Sequence, residues 1–277
     1  MAVMTEGFLQ SADGVSLFYR EWLVDDARGA VQIVHGLGEH GGRYGELAGI
    51  FNAMGLSVRA QDHRGHGRSG GARGSIAGRH DFLHDLKLVF DDFAKAQNTV
   101  PFLFGHSLGG LIAARFATGG FGDVRGLMLS SPALAIRLSG FQRVLLAVGS
   151  MLAPALAVPS GLPPNGVSHD SEVLRGYRDD ALNHNKVAPR VIRFMLDAMD
   201  KCHADADHFA MPVLLQVAGD DLLVDPAGSE RFFARLPDEN KTMHWYDDAY
   251  HEIFNEAAPL RQRVQQDLMA WMSRQPS

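Results

Sequence analysis

At 277 residues the chain is long enough for one large core plus an insertion, and 46% hydrophobic with 21% charged residues excludes a disordered or fibrous protein. A net charge of −6, with lysine and arginine unclustered, argues against nucleic acid as a partner. Neither a repeat nor a low-complexity tract is visible.

In chain order, residues 7–23 read as a hairpin turning at Asp13-Gly14. Residues 31–34 are a short buried strand that ends in the loop His35-Gly36-Leu37-Gly38-Glu39-His40. A helix is expected near 44–54, a strand at 56–61 and a helix near 81–96. The apolar run Phe102-Leu103-Phe104 leads into Gly105-His106-Ser107-Leu108-Gly109, with a helix-compatible segment at 111–117. Another buried strand covers 124–130 and closes at Pro132. Alternation resumes with a strand at 212–217, a helix at 227–236, a strand at 241–246 and a last helix at 259–272. That helix carries Leu260, Val264, Leu268 and Trp271 at helical spacing behind Pro259. Strands alternating with helices imply a mostly parallel sheet with helices on both faces.

The segment around Ser107 is the most informative. A strand, a tight Gly-x-Ser-x-Gly turn and a helix, in that order, form the context of a nucleophile elbow, whose strained backbone exposes the serine hydroxyl. A serine is a weak nucleophile alone and needs a base and a group to orient that base. In such a fold the acid follows the serine and the histidine comes last. The strand at 212–217 ends in a loop offering Asp220, Asp221 and Asp225. Asp225 precedes Pro226 and reads as a helix cap, Asp220 as a turn residue, and Asp221 as the acid. Of the 13 histidines, His244 lies mid-strand and reads as packed, whereas His251 lies at a loop tip after the last strand and reads as the general base. An oxyanion hole needs two more donors. The N–H groups of Leu108, next to the nucleophile, and of Leu37, between two glycines, are the candidates.

Together these residues resemble the α/β-hydrolase-fold serine hydrolases, and among them the monoacylglycerol lipase and lysophospholipase family. The matching text is the 35–40 loop with Arg43-Tyr44, the run Asp62-His63-Arg64-Gly65-His66-Gly67-Arg68-Ser69, the 105–110 elbow, Asp221 ahead of Asp225, and Ala249-Tyr250-His251. The resemblance spans about residues 14–271 and is weak over 132–210. It implies a polar head-group site at Glu39, Arg43, His106 and the cap residue Tyr177, although Ala181 stands where the family has proline after the aspartate. An alternative for Glu39 and Arg43 is a mutual ion pair that braces their loop. Val224 occupies the place of a modifiable cysteine found in some members, so thiol control there is not expected.

Residues 133–210 interrupt the alternation and are expected to be a mainly helical cap inserted in a core of 1–132 and 211–277. Residues 141–153 are apolar over most of a helix, and no acid occurs between 124 and 169 while Arg125, Arg137 and Arg143 do. The expected role is a lid over an acyl pocket that touches a lipid surface transiently; the alternative is a helix buried against the core. Pro154 ends this run before it is long enough to span a bilayer. Residues 159–166 read as a loop, and 178–202 as two short helices.

The expected reaction is hydrolysis of a small lipid ester, most simply a monoacylglycerol, through an acyl-enzyme on Ser107, with no metal or cofactor. Alternatives are a lysophospholipase, a short-chain carboxylesterase, a thioesterase, a proline-type aminopeptidase, or a silent ligand-binding member. The single cysteine, Cys202, permits no internal disulfide and reads as a packed thiol. The first seven residues have neither a basic start nor an apolar run, so the expected compartment is the cytoplasm, with peripheral membrane contact through the cap. The sequence carries no signal for oligomeric state.

Overall fold

The computed structural model describes residues 3–275. Strands β1 (Val3–Gln10) and β2 (Ser16–Leu23) pair antiparallel across the Asp13-Gly14 turn, where Gly14 takes a φ of 82°. Then follow β3 (Gly29–Val34), α1 (Gly45–Ala53), β4 (Leu56–Gln61), α2 (Asp81–Gln97), β5 (Phe102–His106), α3 (Leu108–Thr118) and β6 (Leu127–Ser130). The inserted region carries α4 (Gly140–Leu152), β7 (Val158–Pro159), α5 (Ser171–Asp179), β8 (Lys186–Val187) and α6 (Pro189–Ala204). The chain closes with β9 (Val213–Ala218), α7 (Ala227–Arg235), β10 (Lys241–Tyr246) and α8 (Leu260–Met272).

The main sheet has the order β1-β2-β4-β3-β5-β6-β9-β10. From β4 to β10 its neighbours are parallel, and β2 joins β4 antiparallel. Parallel strands joined by helical crossovers are covered on both faces, which is why β3 to β6 and β9 are unbroken buried runs. One face packs Leu86, Leu111, Ile112 and Phe116 from α2 and α3; the other packs Phe51 of α1 and Leu268 and Trp271 of α8. β3 lies between β4 and β5, so the winding reverses at β3. A crevice opens at the carboxyl ends of strands on either side of such a switch point. The 35–40 loop and the Ser107 turn both emerge there.

Two expectations need correction. β6 is shorter than the 124–130 run, starting at Leu127. The region 178–202 does not hold two short helices: α5 lies mostly before it, and α6 is one 16-residue helix started by Pro189 at its first turn. Val191, Phe194, Met195, Ala198, Met199 and Cys202 of α6 are buried in the same cluster as α3, against which α6 packs.

α4 is opened by a Ser139–Gln142 capping box and ends ahead of Pro154. It has no buried residue, and Phe141, Met151 and Leu152 are 77%, 77% and 72% exposed. The buried-helix alternative is therefore not the arrangement found. No helix among the described residues is long and apolar enough to cross a membrane.

Candidate active site

Ser107 stands between β5 and α3 with φ 55° and ψ −121°, a left-handed conformation that a non-glycine residue holds only when its surroundings impose it. Its N–H donates to the Ser130 carbonyl at 3.0 Å, and its own carbonyl accepts from Ala133 at 3.0 Å and Leu111 at 3.1 Å. The flanking glycines are there for space: a Cβ on Gly109 would strike the Val34 carbonyl, and one on Gly105 would sit 2.5 Å from the Gly109 carbonyl. The strain is held by β3, β6 and α3 together.

Asp221 follows β9 and is buried. One of its oxygens, Oδ1, accepts from the N–H groups of Leu223 and Val224 at 2.8 and 3.0 Å, which leaves Oδ2 for His251 Nδ1 at 2.6 Å. Asp220 is exposed, and Asp225 accepts from Ala227 N–H at the start of α7. Of the three carboxylates, Asp221 alone meets the histidine. Because a carboxylate only accepts, the imidazole proton is on Nδ1 and Nε2 is free to take another. Burial lowers the His251 pKa, but the Asp221 charge and hydrogen bond and the charges of Glu252 and Glu39 outweigh it, so the net shift is upward. Burial likewise raises Asp221, and the attraction and hydrogen bond of His251, with the two backbone N–H groups, leave it below its ordinary value. His244 sits on β10 with Nδ1 3.6 Å from Asp267, away from this pair.

Ser107, His251, Leu37 and Leu108 line one cavity of about 270 Å³. Leu108 is the first residue of α3, so its N–H belongs to the unsatisfied first turn of that helix. Leu37 is held by neighbours on both sides. Gly36 N–H donates to Glu39 Oε1 at 2.6 Å, and the Gly38 carbonyl accepts from His184 N–H of the cap at 2.8 Å. Gly38 has φ 80° and lies so close to the His184 carbonyl that a side chain would not fit. A larger surface groove, about 750 Å³, runs past Arg79, Arg190 and Asp197, but neither Ser107 nor His251 borders it.

The four expected head-group residues are close together, in two different situations. Glu39, His106 and Tyr177 line the cavity, whereas Arg43 lies behind them. Arg43 donates to Glu39 Oε2 at 2.7 Å and to both oxygens of Glu252 at 2.7 Å, and its guanidinium sits 4.8 Å from the centre of the Tyr177 ring. Glu39 also accepts from the Tyr44 hydroxyl at 2.6 Å. The brace foreseen for Glu39 and Arg43 is present, extended by Glu252. Burial raises the pKa of both glutamates, but Arg43 and His106, joined for Glu39 by the hydrogen bonds of Tyr44 and Gly36, together outweigh it and hold both below the usual carboxylate range. His106 is pushed down to about 4 by burial and the neighbouring His251, whose ring centre is 4.7 Å away. Glu252 was not singled out from the sequence. Its one signal is an acid directly after the candidate base, and its partner Arg43 is 209 positions away. His40 bonds Asp180 of the cap at 2.8 Å, so the 35–40 loop is tied to the cap as well as to the sheet.

A strained serine on a strand–helix turn at the switch point of a mostly parallel sheet, lining one cavity with an acid-held histidine, stands where the α/β-hydrolase fold carries its nucleophile turn. Residues 25–258 match the serine aminopeptidase S33 family, and the chain belongs to that family of hydrolases. It is 34% identical to a monoacylglycerol lipase of Mycolicibacterium smegmatis over 94% of this chain and 93% of that one. It is 31% identical to the phospholipase YtpA of Bacillus subtilis over 88% of this chain and 94% of that one. The crystal structure of the Paleococcus ferrophilus monoacylglycerol lipase superposes with a TM-score of 0.82 at 31% identity, covering all of both chains. The protein is an ester-hydrolysing enzyme acting on lipid-like esters.

Proposed function

We propose that the enzyme hydrolyses monoacylglycerols to glycerol and fatty acid in two acyl-transfer steps. The observation that carries this reading is the Asp221–His251 contact of 2.6 Å beside a cavity that Ser107 also lines. His251 Nε2 takes the Ser107 proton as the hydroxyl attacks the ester carbonyl, and the charge on the carbonyl oxygen rests on the N–H groups of Leu37 and Leu108. The same imidazole hands the proton to the departing glycerol oxygen. It then removes a proton from water, which attacks the acyl-enzyme and releases the fatty acid.

The cavity supports a lipid substrate in its lining. Apolar Ile136, Leu138, Leu162, Val187, Ile192 and Met195 come from the cap and from α6, while Glu39, His106 and Glu252 lie at the buried end. The exposed apolar side chains of α4 support a further element of the reading, contact of the cap with the lipid surface that holds the substrate. Initial rates on monoacylglycerols of short and long chain, p-nitrophenyl butyrate and a prolyl amide test the assignment. Preference for monoacylglycerol is expected. Faster turnover of the p-nitrophenyl ester would reduce the enzyme to a general carboxylesterase, and turnover of the amide alone would make it a peptidase.

A further inference from the structure

The chain around His251 is held by a carboxylate that does not line the Ser107 cavity, that of Glu256. Three successive N–H groups there, of Tyr250, His251 and Glu252, are accepted outside β10. Tyr250 donates to Glu256 Oε1 at 2.7 Å, His251 to the Gly166 carbonyl at 3.4 Å and Glu252 to the Val167 carbonyl at 2.7 Å. Gly166 and Val167 belong to the inserted region, just ahead of α5. The same glutamate fastens that segment. Its Oε2 accepts from the His169 N–H at 3.0 Å, and its Oε1 stands 2.9 Å from His169 Nδ1. The His169 ring in turn stacks on the Tyr250 ring, with centres 3.7 Å apart. Ser168 adds a second tie by donating its hydroxyl to the Asn255 carbonyl at 2.9 Å. Glu256 is 1% exposed, and hydrogen bonds from N–H groups to a buried carboxylate are among the stronger contacts within a chain. Asp221 fixes the imidazole of His251 at Nδ1, but the backbone from which the ring projects is placed by Glu256 and by the carbonyls of the segment it fastens.

We propose that Glu256 is a positioning residue for His251, and that it makes the placement of the base depend on the docked segment 166–169 of the inserted region. Removing the carboxylate leaves the Tyr250 and His169 N–H groups without their acceptor and frees the segment whose carbonyls hold His251 and Glu252. The imidazole then keeps its acid but loses its register with Ser107. This inference rests on the reading of Ser107, Asp221 and His251 as the catalytic residues and adds what holds the base in place.

The test measures kcat and KM on p-nitrophenyl butyrate for the wild type, Glu256→Gln and Glu256→Asp. Each rate is divided by the Ser107 sites that a fluorophosphonate labels at completion, so that unfolded protein is not counted. Glu256→Gln puts an amide nitrogen where one accepting oxygen was, and Glu256→Asp keeps the charge on a shorter side chain. Both are expected to lose about 10- to 100-fold in kcat per labelled site with KM little changed, the order that a displacement of about 1 Å costs. The rate of labelling falls in parallel. The pH midpoint of kcat/KM moves down toward 6.5 in both variants, because a displaced His251 gives up part of its bond to Asp221. A change through charge alone would spare Glu256→Asp. Wild-type kcat per labelled site in both variants, with only a lower thermal midpoint, would make Glu256 purely structural and overturn the inference. His169→Ala, at a side chain 46% exposed, removes the ring contact and one bond. It is expected to show the same loss in smaller measure, and wild-type turnover by it would overturn the dependence on segment 166–169 even if the glutamate variants do not fold. A wild type that is not labelled at Ser107 fails the catalytic reading itself, whereas a labelled wild type with unaffected variants fails only this inference.

Discussion

Asp221 Oδ2 lies 2.6 Å from His251 Nδ1, while the other oxygen of the same carboxylate is held by the N–H groups of Leu223 and Val224. The acid therefore cannot rotate without giving up two backbone bonds, and the imidazole is fixed as one tautomer. Asp221→Asn replaces an acceptor by a group that can also donate, which lets the wrong tautomer form. The expected result is a fall in kcat of roughly 10⁴-fold, with folding intact, as for removal of the charge in a comparable triad. Steady-state rates on p-nitrophenyl butyrate, with circular dichroism as the folding control, check it. Ser107→Ala should abolish both turnover and fluorophosphonate labelling, and near-wild-type turnover by that variant would remove the serine from the mechanism.

The pH dependence follows from the raised pKa of His251. As the proposed base, His251 works only when neutral, so kcat/KM should rise with pH through a midpoint above 6.5, the ordinary histidine value. Glu252 and Glu39 contribute to that upward shift, so Glu252→Gln should move the midpoint down. The effect on stability has the opposite sense. A histidine raised on folding adds stability that is complete below its unfolded pKa and is lost as pH rises through the folded one. Asp221, lowered on folding, adds stability above 3.8 that is lost as pH falls through its folded value. Asp221→Asn and His251→Ala should therefore separate from the wild type in thermal midpoint most clearly between these limits. A pH profile identical for wild type and Glu252→Gln would contradict the charge assignment.

Ser107, Asp221 and His251 stand out in the sequence because each has a local signature: a strand entering a glycine-flanked turn, a loop after a buried strand, a loop tip after the last strand; the fold brings Asp221 to His251 and puts Ser107 and His251 on one cavity. The ester chemistry then follows from their order along the chain. Glu252 has no such signature, since its position matters only through Arg43 and Glu39, brought beside it by the fold. The partner of α6 is hidden for a similar reason. α6 has its apolar residues at helical spacing, but nothing local says that they meet α3 rather than a lid. The two-residue strands β7 and β8 are too short to leave a pattern, and they exist because Val158 and Val187 are brought together.

Packing at the elbow gives a test independent of catalysis. A Cβ on Gly109 would strike the carbonyls of Val34, the last residue of β3, and of His35 just after it, which is itself bonded to His63 Nε2. Gly45, in the first turn of α1, has open space around its Cβ position. Gly109→Ala is expected to destabilise the fold by about 1–3 kcal/mol and to disturb the Ser107 turn, lowering activity in the fraction that remains folded. Gly45→Ala should be neutral or stabilising by up to about 1 kcal/mol. Denaturant midpoints for the two variants decide the matter, and equal midpoints would mean that the β3–α3 contact is looser than drawn.

The exposed apolar side of α4 leads to the last prediction. Phe141 and Leu145, 77% and 58% exposed, stand one helical turn apart, and Val144 and Val148 extend the same apolar run. Apolar side chains this exposed on a helix with no buried residue contribute little to the fold, so replacing them should shift stability by no more than about 0.5 kcal/mol. If the cap meets a lipid surface, Phe141→Glu/Leu145→Glu should lose binding to neutral phosphatidylcholine vesicles in a flotation assay. Hydrolysis of monoacylglycerol delivered in those vesicles should fall in parallel. p-Nitrophenyl butyrate, dissolved in water, should be turned over at the wild-type rate, because neither Phe141 nor Leu145 lines the Ser107 cavity. Equal loss on the soluble ester would instead mean that the changed side chains act on the cavity that Gln142 of α4 lines, and unchanged vesicle binding would assign the apolar face to something other than lipid.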